Sequence, residues 1–520
     1  MIRGTILWAD DEIDLLQPHI MYLEERGYKV TGVTNGEDAI SHVKEEDFDL
    51  VLLDQMMSGR DGLSTLEELK QISPGLPVIM ITKHEEESLM DEAIAGKITD
   101  YLTKPVNPSQ ILSACKKILE KKQISSDRMS RDHVSEFNKI SELLNDQPSA
   151  NTWIDIHTKL SEMEVELDSN KDSGLEMMLS EQRKECNTEF GKFVTRNYAS
   201  WVTDARSESP TLSTDIFSRF VYPLLKEESE VVFVVVDCMR LDQWFSIEDI
   251  LYEYFNITRN YAYSILPTAT PFSRNAIFSG LFPNELSKAY PEIWQKAWED
   301  EHSMNRHEEI YLNNQLERLK IELKPAAKYS KILNINEGKK IEKQIPTYGN
   351  VPLITLVVNF VDILTHTRSE SDVLKEIAPD ESGFRNLTRS WFENSWLYKV
   401  LIQLSEMGKT IILTTDHGSI RVTKGTQVLG DRATSTGLRY KYGRSLKCDD
   451  KDAFLLNNPE DWNLPSSANN TNFIFAINEH FFLYPTNYNK YLNLYKNTFQ
   501  HGGISLEEMI LPVLTLKAKH

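Results

Sequence analysis

The chain has 520 residues, more than one hydrophobic core organises, and roughly 150 residues per domain gives three to four units. Lys plus Arg number 57 against 78 Asp plus Glu, and the resulting charge of −21 opposes any role in coating nucleic acid or anionic membrane. Apolar residues at 40%, charged at 26% and aromatic at 10% exclude a disordered chain.

No apolar run approaches the roughly 18 residues of a membrane helix, so a membrane protein is not expected. The N-terminus turns acidic at Asp10-Asp11-Glu12 before a signal peptide could form, which predicts a cytoplasmic location. Cys115, Cys186, Cys238 and Cys448 are far apart and form no Cys-x-x-Cys pair, so reduced thiols are expected and a thiolate zinc site is not.

From Thr5 to about Lys121 short apolar runs alternate with helical patterns, and the runs at 5–8, 50–53, 78–81 and 101–102 each stop at a polar residue. This periodicity predicts a doubly wound α/β domain over 1–121, with the polar run ends along one sheet edge. Over 122–205 the texture becomes charged and poor in Gly and Pro. Apolar residues fall at helical spacing (Ile154, Leu160, Met163, Leu167, then Leu175, Met178, Leu179, Cys186) and turn-rich breaks fall near 146–149 and 168–174. A helical-bundle connector of two or three helices is predicted. Apolar strands return at 231–236, 353–358, 411–413 and 473–476, predicting a large α/β domain over 206–520, with 290–344 and 422–465 as insertions decorating its core.

The first domain places Asp10-Asp11, Asp54, Thr82 and Lys104 at successive strand ends. Three carboxylates make an oxygen-rich pocket suited to Mg²⁺, Asp54 is placed to accept a phosphoryl group, Lys104 to pair with the added charge and Thr82 to hydrogen-bond a phosphoryl oxygen. The order Asp10-Asp11-Glu12, Asp54-x-x-Met57 with Gly62, Thr82 and Asp100-Tyr101-Leu102-Thr103-Lys104-Pro105 resembles the receiver domain of two-component response regulators. The resemblance implies a (βα)5 fold, a sensor histidine kinase as phosphodonor, Tyr101 as the aromatic switch and a cis Lys104–Pro105 peptide. Ser58 departs from the Pro usual after Met57, which touches loop stiffness more than chemistry.

Three of the 12 histidines sit in metal-like contexts: Asp362-Ile363-Leu364-Thr365-His366, Asp416-His417-Gly418 and His501-Gly502-Gly503, while Asp237 ends the 231–236 run. Asp362 and His366 share a helix face at a spacing of four. Mixed imidazole and carboxylate donors suit zinc or manganese better than calcium. The stretch Leu266-Pro267-Thr268-Ala269-Thr270-Pro271-Phe272-Ser273-Arg274-Asn275 offers a hydroxyl at the start of a helix beginning near Phe272, where a phosphate is favoured; Thr268, Thr270 or Ser273 equally reads as a helix cap.

These elements resemble the alkaline phosphatase superfamily and, within it, the PglZ domain. The resemblance implies one metal on Asp362, His366 and His501, and a second on Asp237, Asp416, His417 and the oxygen of Thr270, the nucleophile. Asn275 and Arg274 are lesser candidates for a phosphoryl oxygen, whereas Arg240 and Asp242 read equally as structural. Threonine where a sulfatase carries a modified Cys or Ser disfavours sulfatase chemistry and resembles the nucleotide phosphodiesterase branch. Arg432, Arg439, Tyr440, Lys441, Tyr442 and Arg444 suggest a lid that grips phosphates and stacks bases, or else a solvated loop face.

Receiver, helical connector and PglZ-type domain in this order resemble the PorX-type response regulators of Bacteroidetes. That resemblance implies two zinc ions in the output domain, phosphodiesterase action on oligonucleotides or cyclic oligonucleotides, and a link to type IX secretion and gliding. It also implies a sigma factor or secretion-motor protein as partner, and we expect a homodimer on phosphorylation. The competing reading is a phosphorylation-controlled binding protein with a non-catalytic metal domain. Sequence-specific DNA binding is not expected, because no helix-turn-helix, zinc finger or basic stripe is present.

Overall fold

The computed structural model describes residues 3–83, 98–119, 121–169, 172–203, 209–227, 230–299, 305–430, 435, 437–466 and 471–519. They form two compact units, Met1–Val134 and Ser135–His520. No described helix is long and apolar enough to cross a membrane.

In the first unit, β1 (Gly4–Ala9), β2 (Tyr28–Val33), β3 (Leu50–Asp54), β4 (Val78–Thr82) and β5 (Asp100–Thr103) form a parallel sheet in the order β2-β1-β3-β4-β5. The side-chain alternation of a strand splits the core in two: Leu7, Val51, Leu53 and Met80 pack on one face, Ile6, Trp8, Leu52 and Ile79 on the other. Both faces are covered by helices, which is why β1, β3 and β4 read as unbroken apolar runs. The helices Gly36–Glu45 and Gly62–Ile72 start where the Asn35 and Asp61 side chains accept from the backbone N–H of Asp38 and Ser64. The strand order reverses between β1 and β3, and a doubly wound sheet places its site at that crevice.

Three linker helices follow, Lys121–Asn145, Ala150–Ser169 and Ser173–Thr203. The buried stripe of the second is Trp153, Ile156, Leu160, Met163 and Leu167, one register off the expected Ile154, which is half-buried. Its Trp153 meets Phe190 of the third helix edge to face at 5.3 Å.

The remaining strands are β6 (Val231–Val236), β7 (Phe255–Tyr263), β8 (Lys328–Ile332), β9 (Leu353–Val358), β10 (Thr410–Thr414), β11 (Ile420–Val422), β12 (Lys424–Gln427), β13 (Tyr440–Arg444), β14 (Ala453–Leu456), β15 (Thr471–Ala476), β16 (His480–Leu483), β17 (Thr498–Gln500) and β18 (Ile510–Ala518). The main sheet runs β7-β18-β10-β6-β9-β8, and β18 runs opposite to the other five strands. On β6, Val232 and Val234 join one core layer, and Val231, Phe233 and Val235 the other.

One expectation needs correction. The 290–344 segment does not merely decorate the core, because it supplies β8, an edge strand of the main sheet. Its sequence, Lys-Tyr-Ser-Lys-Ile, is too polar to announce itself. The apolar run at 473–476 is a strand as expected, and it joins a separate sheet, β13-β15-β14.

Candidate metal and phosphoacceptor sites

In the first unit Asp10 follows β1, Asp54 closes β3, Thr82 closes β4 and Lys104 follows β5. Asp10 and Asp54 are buried and Asp11 is exposed, with oxygen atoms of all three within 4.8 Å of one another. The Lys104 ammonium lies 2.9 Å from Asp10 Oδ2 and 3.0 Å from Asp54 Oδ2. Burial raises the Asp54 carboxyl above its usual range, with the Lys104 hydrogen bond opposing and the Asp10 charge reinforcing. Desolvation would lower Lys104, but its bonds to Asp10 and Asp54 outweigh it and leave the ammonium raised.

Thr82 is buried and donates its hydroxyl to the Gln55 side chain. Tyr101 is half-buried against the core face that holds Met80 and Ile98. The Lys104–Pro105 peptide is cis. Gly62 is needed for close approach, since a Cβ there would lie 2.4 Å from the Asp54 carbonyl oxygen.

In the second unit Asp237 follows β6, Asp416 and His417 follow β10, and His501 follows β17. Asp362 and His366 lie on the helix Phe360–Glu370 after β9, where the spacing of four brings His366 Nε2 to 3.3 Å from Asp362 Oδ1. The fold gathers them into two sets, Asp362, His366 and His501, and Asp237, Asp416 and His417, each with its donor atoms within 4.8 Å. The His417 and His501 rings stack at 4.2 Å, so the sets adjoin. Thr270 opens the helix Thr270–Ser279, and its hydroxyl lies 3.1 Å from His417 Nε2 and 3.4 Å from Asp237 Oδ1.

The donor chemistry fits divalent cations. His417 Nδ1 is 3.0 Å from the Gly418 carbonyl and His501 Nδ1 is 3.3 Å from the Thr268 carbonyl. A carbonyl only accepts, so each Nδ1 carries the proton and each Nε2 keeps its lone pair for a ligand. Burial holds His501 well below the usual imidazole range, hence neutral. Asp416 Oδ2 is buried without a hydrogen-bond partner. Burial raises Asp237 well above the carboxylate range, and the neighbouring Asp416 and Asp362 charges add to this against Arg274. Buried carboxylates so disposed favour a further cation.

Supporting groups surround these candidate ligands, and of them Glu308, Asn359 and Arg385 were not singled out by the sequence. Arg274, 1% exposed, donates from Nη1 to Asp237 Oδ2 and from Nε to Glu308 Oε1, both at 2.5 Å, and Asn359 Nδ2 donates to the same Asp237 oxygen at 2.9 Å. Arg274 is therefore a brace for a candidate ligand, not a group reaching toward substrate. The Asn275 amide nitrogen donates to the Pro271 carbonyl of its own helix at 2.8 Å. Thr268 is not a helix cap: its hydroxyl donates to the Gly503 carbonyl at 2.8 Å and accepts from Gly502 N at 3.1 Å. Arg240 and Asp242 pair with each other, and Arg385 extends the network from Asp242 to Asp168 of the linker.

The expected phosphate lid needs correction. Arg439 is fully buried and bound to Glu508, and Lys441 is buried with its ammonium on the Ser435 carbonyl, so neither cation is presented for grip. Tyr440 is also buried, packed edge to face on Phe272 at 5.9 Å. Its ring occupies the space a Cβ at Gly502 would need, 2.3 Å away. Arg444 ends β13 exposed, and Arg432 lies outside the described residues.

Comparison with known proteins assigns these parts. Residues 6–116 match the response regulator receiver domain, 123–202 the PorX response regulator linker domain, and 216–516 the BREX system PglZ alkaline phosphatase-like domain. The transcriptional regulatory protein ZraR of Salmonella typhimurium is 35% identical over 121 residues, 23% of this chain and 27% of that protein. ResD of Bacillus subtilis is 33% identical over 116 residues, 22% of this chain and 48% of that protein. The chain thus spans under half the length of these curated relatives. Among solved structures, the receiver domain of NtrX from Brucella abortus is 29% identical, covering 22% of this chain and 98% of that one with a TM-score of 0.21. With its PglZ match covering more than half its length, behind a receiver and a PorX-type linker, the chain belongs to the PglZ alkaline phosphatase-like family and has the PorX-type architecture.

Proposed function

We propose that the chain is a response regulator phosphorylated on Asp54 by a sensor histidine kinase, whose output domain is a two-metal phosphodiesterase with Thr270 as nucleophile. The observation that carries it is the Thr270 hydroxyl at a helix N-terminus, 3.1 Å from His417 Nε2 and 3.4 Å from Asp237 Oδ1, beside a second ligand set. The functional divisions are 1–121, 122–205 and 206–520.

Asp362, His366 and His501 would hold one cation, and Asp237, Asp416 and His417, with the Thr270 oxygen, the other. Zinc fits the mixed donor set and manganese is the alternative. When bound, the pair supplies Lewis-acid stabilisation of phosphoryl oxygens and acidifies a nearby hydroxyl. Thr270 Oγ1 forms the bond to phosphorus while the ester P–O bond breaks; the Thr270 proton, which faces Asp237 Oδ1 at 3.4 Å, passes to solvent, and the departing alkoxide takes a proton from solvent and leaves as the alcohol. The positive end of the helix dipole favours the anionic phosphoryl group at Thr270, and water then frees Thr270. Asn275, on the same helix, is the lesser candidate for a phosphoryl oxygen.

In the receiver, Asp10, Asp11 and Asp54 would hold Mg²⁺, which neutralises the incoming phosphoryl charge. Lys104 pairs with the phosphate, Thr82 exchanges Gln55 for a phosphoryl oxygen, and Tyr101 repacks to favour a homodimer. The substrate class is an oligonucleotide or cyclic oligonucleotide. The PorX-type architecture supports regulation of type IX secretion and gliding, with a sigma factor or secretion-motor protein as partner and a cytoplasmic location.

The test is hydrolysis of a chromogenic phosphodiester and its monoester by metal-loaded protein, beside Thr270→Ala of equal metal content. Preferential diester cleavage lost in Thr270→Ala is the expected result. No cleavage by the wild type with two metals bound overturns the enzyme reading in favour of a phosphorylation-controlled binding protein.

A further inference from the structure

The linker helix Ser173–Thr203 reaches the ligand loops of the output domain through specific polar contacts. Asn187, 3% exposed, accepts from the backbone N–H of Leu506 at 2.8 Å and donates from Nδ2 to Glu507 Oε2 at 3.1 Å. Arg183, one turn earlier, donates to Glu507 Oε1 at 3.1 Å. The short Leu506–Met509 turn held this way abuts the loop that carries two candidate ligands. A Cβ on Gly418 would lie 2.0 Å from the Glu507 carbonyl oxygen, and Gly418 N donates to the Glu508 carbonyl at 3.2 Å.

Gly418 in turn sets His417. Its carbonyl accepts the Nδ1 proton of His417, which aims Nε2 at Thr270 and Asp237. Such an outer hydrogen bond fixes both the tautomer and the plane of a ligating imidazole. The same helix also reaches the nucleophile turn, where Tyr198 Oη accepts from Leu266 N at 2.7 Å.

A cleft of about 770 Å³ opens beside these bonds, between His157, Arg183 and Asn187 of the linker and Arg240, Asp242 and Glu507 of the output domain. The Leu506–Met509 turn is buried and anchored in its own domain by Glu508 on Arg439, and the directed hydrogen bonds of Asn187 and Arg183 join its Glu507 side to the linker.

We infer that Asn187 is a positioning residue of the output-domain metal site: through Glu507 and Gly418, the linker helix orients His417 as a ligand. The inference rests on the proposed reading of Asp237, Asp416 and His417 as a metal set. It assigns the linker a part in building the site.

The test uses full-length protein and cobalt(II) alone as probe. A His366→Ala background isolates the Asp237, Asp416 and His417 set, and an Asp237→Asn background isolates the other. In the first background, Asn187→Ala and the near-isosteric Glu507→Gln are each expected to weaken cobalt binding roughly ten- to a hundred-fold and to shift its visible absorption bands. In the second, the weakening is expected to be clearly smaller, because there the turn acts through Glu508 on Gly503 and not on the hydrogen-bond acceptor of a ligating ring. Unchanged binding and spectra in the first background overturn the inference, and so does equal weakening in both, which signals general loosening. Because the readout is cobalt binding, an inactive wild type that binds two ions would defeat the phosphodiesterase reading and leave this inference standing.

Discussion

Arg274 and Asp237 meet at 2.5 Å with both side chains 1% exposed, and the same guanidinium reaches Glu308 at 2.5 Å on its other side. The pair joins the helix that opens with Thr270 to the end of β6. Glu308, on the helix Glu308–Arg318, is bonded in turn to Tyr329 and to Lys331 at 3.2 Å. Replacing Arg274 strips the buried Asp237 of its guanidinium and leaves Glu308 with Lys331 as its cation. Arg274→Met is expected to cost about 3–5 kcal/mol, the usual penalty for breaking a buried pair. Urea unfolding of metal-free protein reads it, and an unchanged midpoint would show that the guanidinium is dispensable to the fold.

Thr268 ties the nucleophile turn to the His501 loop, because one hydroxyl serves both Gly502 N and the Gly503 carbonyl. Thr268→Val keeps the shape and removes both bonds. We expect a loss of about 1–3 kcal/mol for the stranded buried groups, together with weaker metal binding at the Asp362, His366 and His501 set. Thermal unfolding with and without added metal checks both parts. A metal-dependent stabilisation equal to that of the wild type would refute the second.

Acid should weaken the second unit through His157. Burial, aided by Arg183, lowers this imidazole to about 3, with Glu507 and Asp242 opposing and Arg240 again lowering it. The unfolded chain takes up the proton near pH 6.5, so it binds more protons than the folded protein below that value. Stability is therefore unaffected by this group above about pH 6.5 and is lost as pH falls from there toward 3, by at most about 1.4 kcal/mol per pH unit. Unfolding free energies at pH 7, 6 and 5 for wild type and His157→Gln should show a shallower slope in the variant. Parallel slopes would mean that another group sets the acid sensitivity.

Gly62→Ala should disturb the receiver more than its size suggests. The added methyl would fall 2.4 Å from the Asp54 carbonyl oxygen and 2.7 Å from Gln55 Cα, both rigid backbone atoms. A destabilisation of about 1–3 kcal/mol is expected from the forced shift. Slower phosphorylation by a small-molecule phosphodonor should accompany it, since the displaced segment carries Asp54. Wild-type phosphorylation kinetics in the variant would show that the loop relaxes without moving the carboxylate.

The amino-acid sequence determined the parts whose physics is local. Alternating apolar runs specified β1, β3, β4, β6, β9 and β10, because strands buried on both faces must be apolar throughout, and the polar residue ending each run identified Asp10, Asp54, Thr82, Asp237 and Asp416. The four-residue spacing of Asp362 and His366 likewise follows from one helical turn. The edge strand β8 and the register of the linker stripe escaped, since polar edge residues and broad apolar faces leave the local pattern ambiguous.

Only the tertiary structure decided which of these groups meet. The stacking of His417 on His501, the brace from Arg274 to Glu308 and the bond from Asn187 to Glu507 join residues separated by 84, 34 and 320 positions. No periodicity encodes such distances. The same holds for Arg439 and Lys441, which read as exposed cations and fold inward because Glu508 and the Ser435 carbonyl are there to receive them. A buried charge is tolerable only beside a partner, and the partner is supplied by the fold.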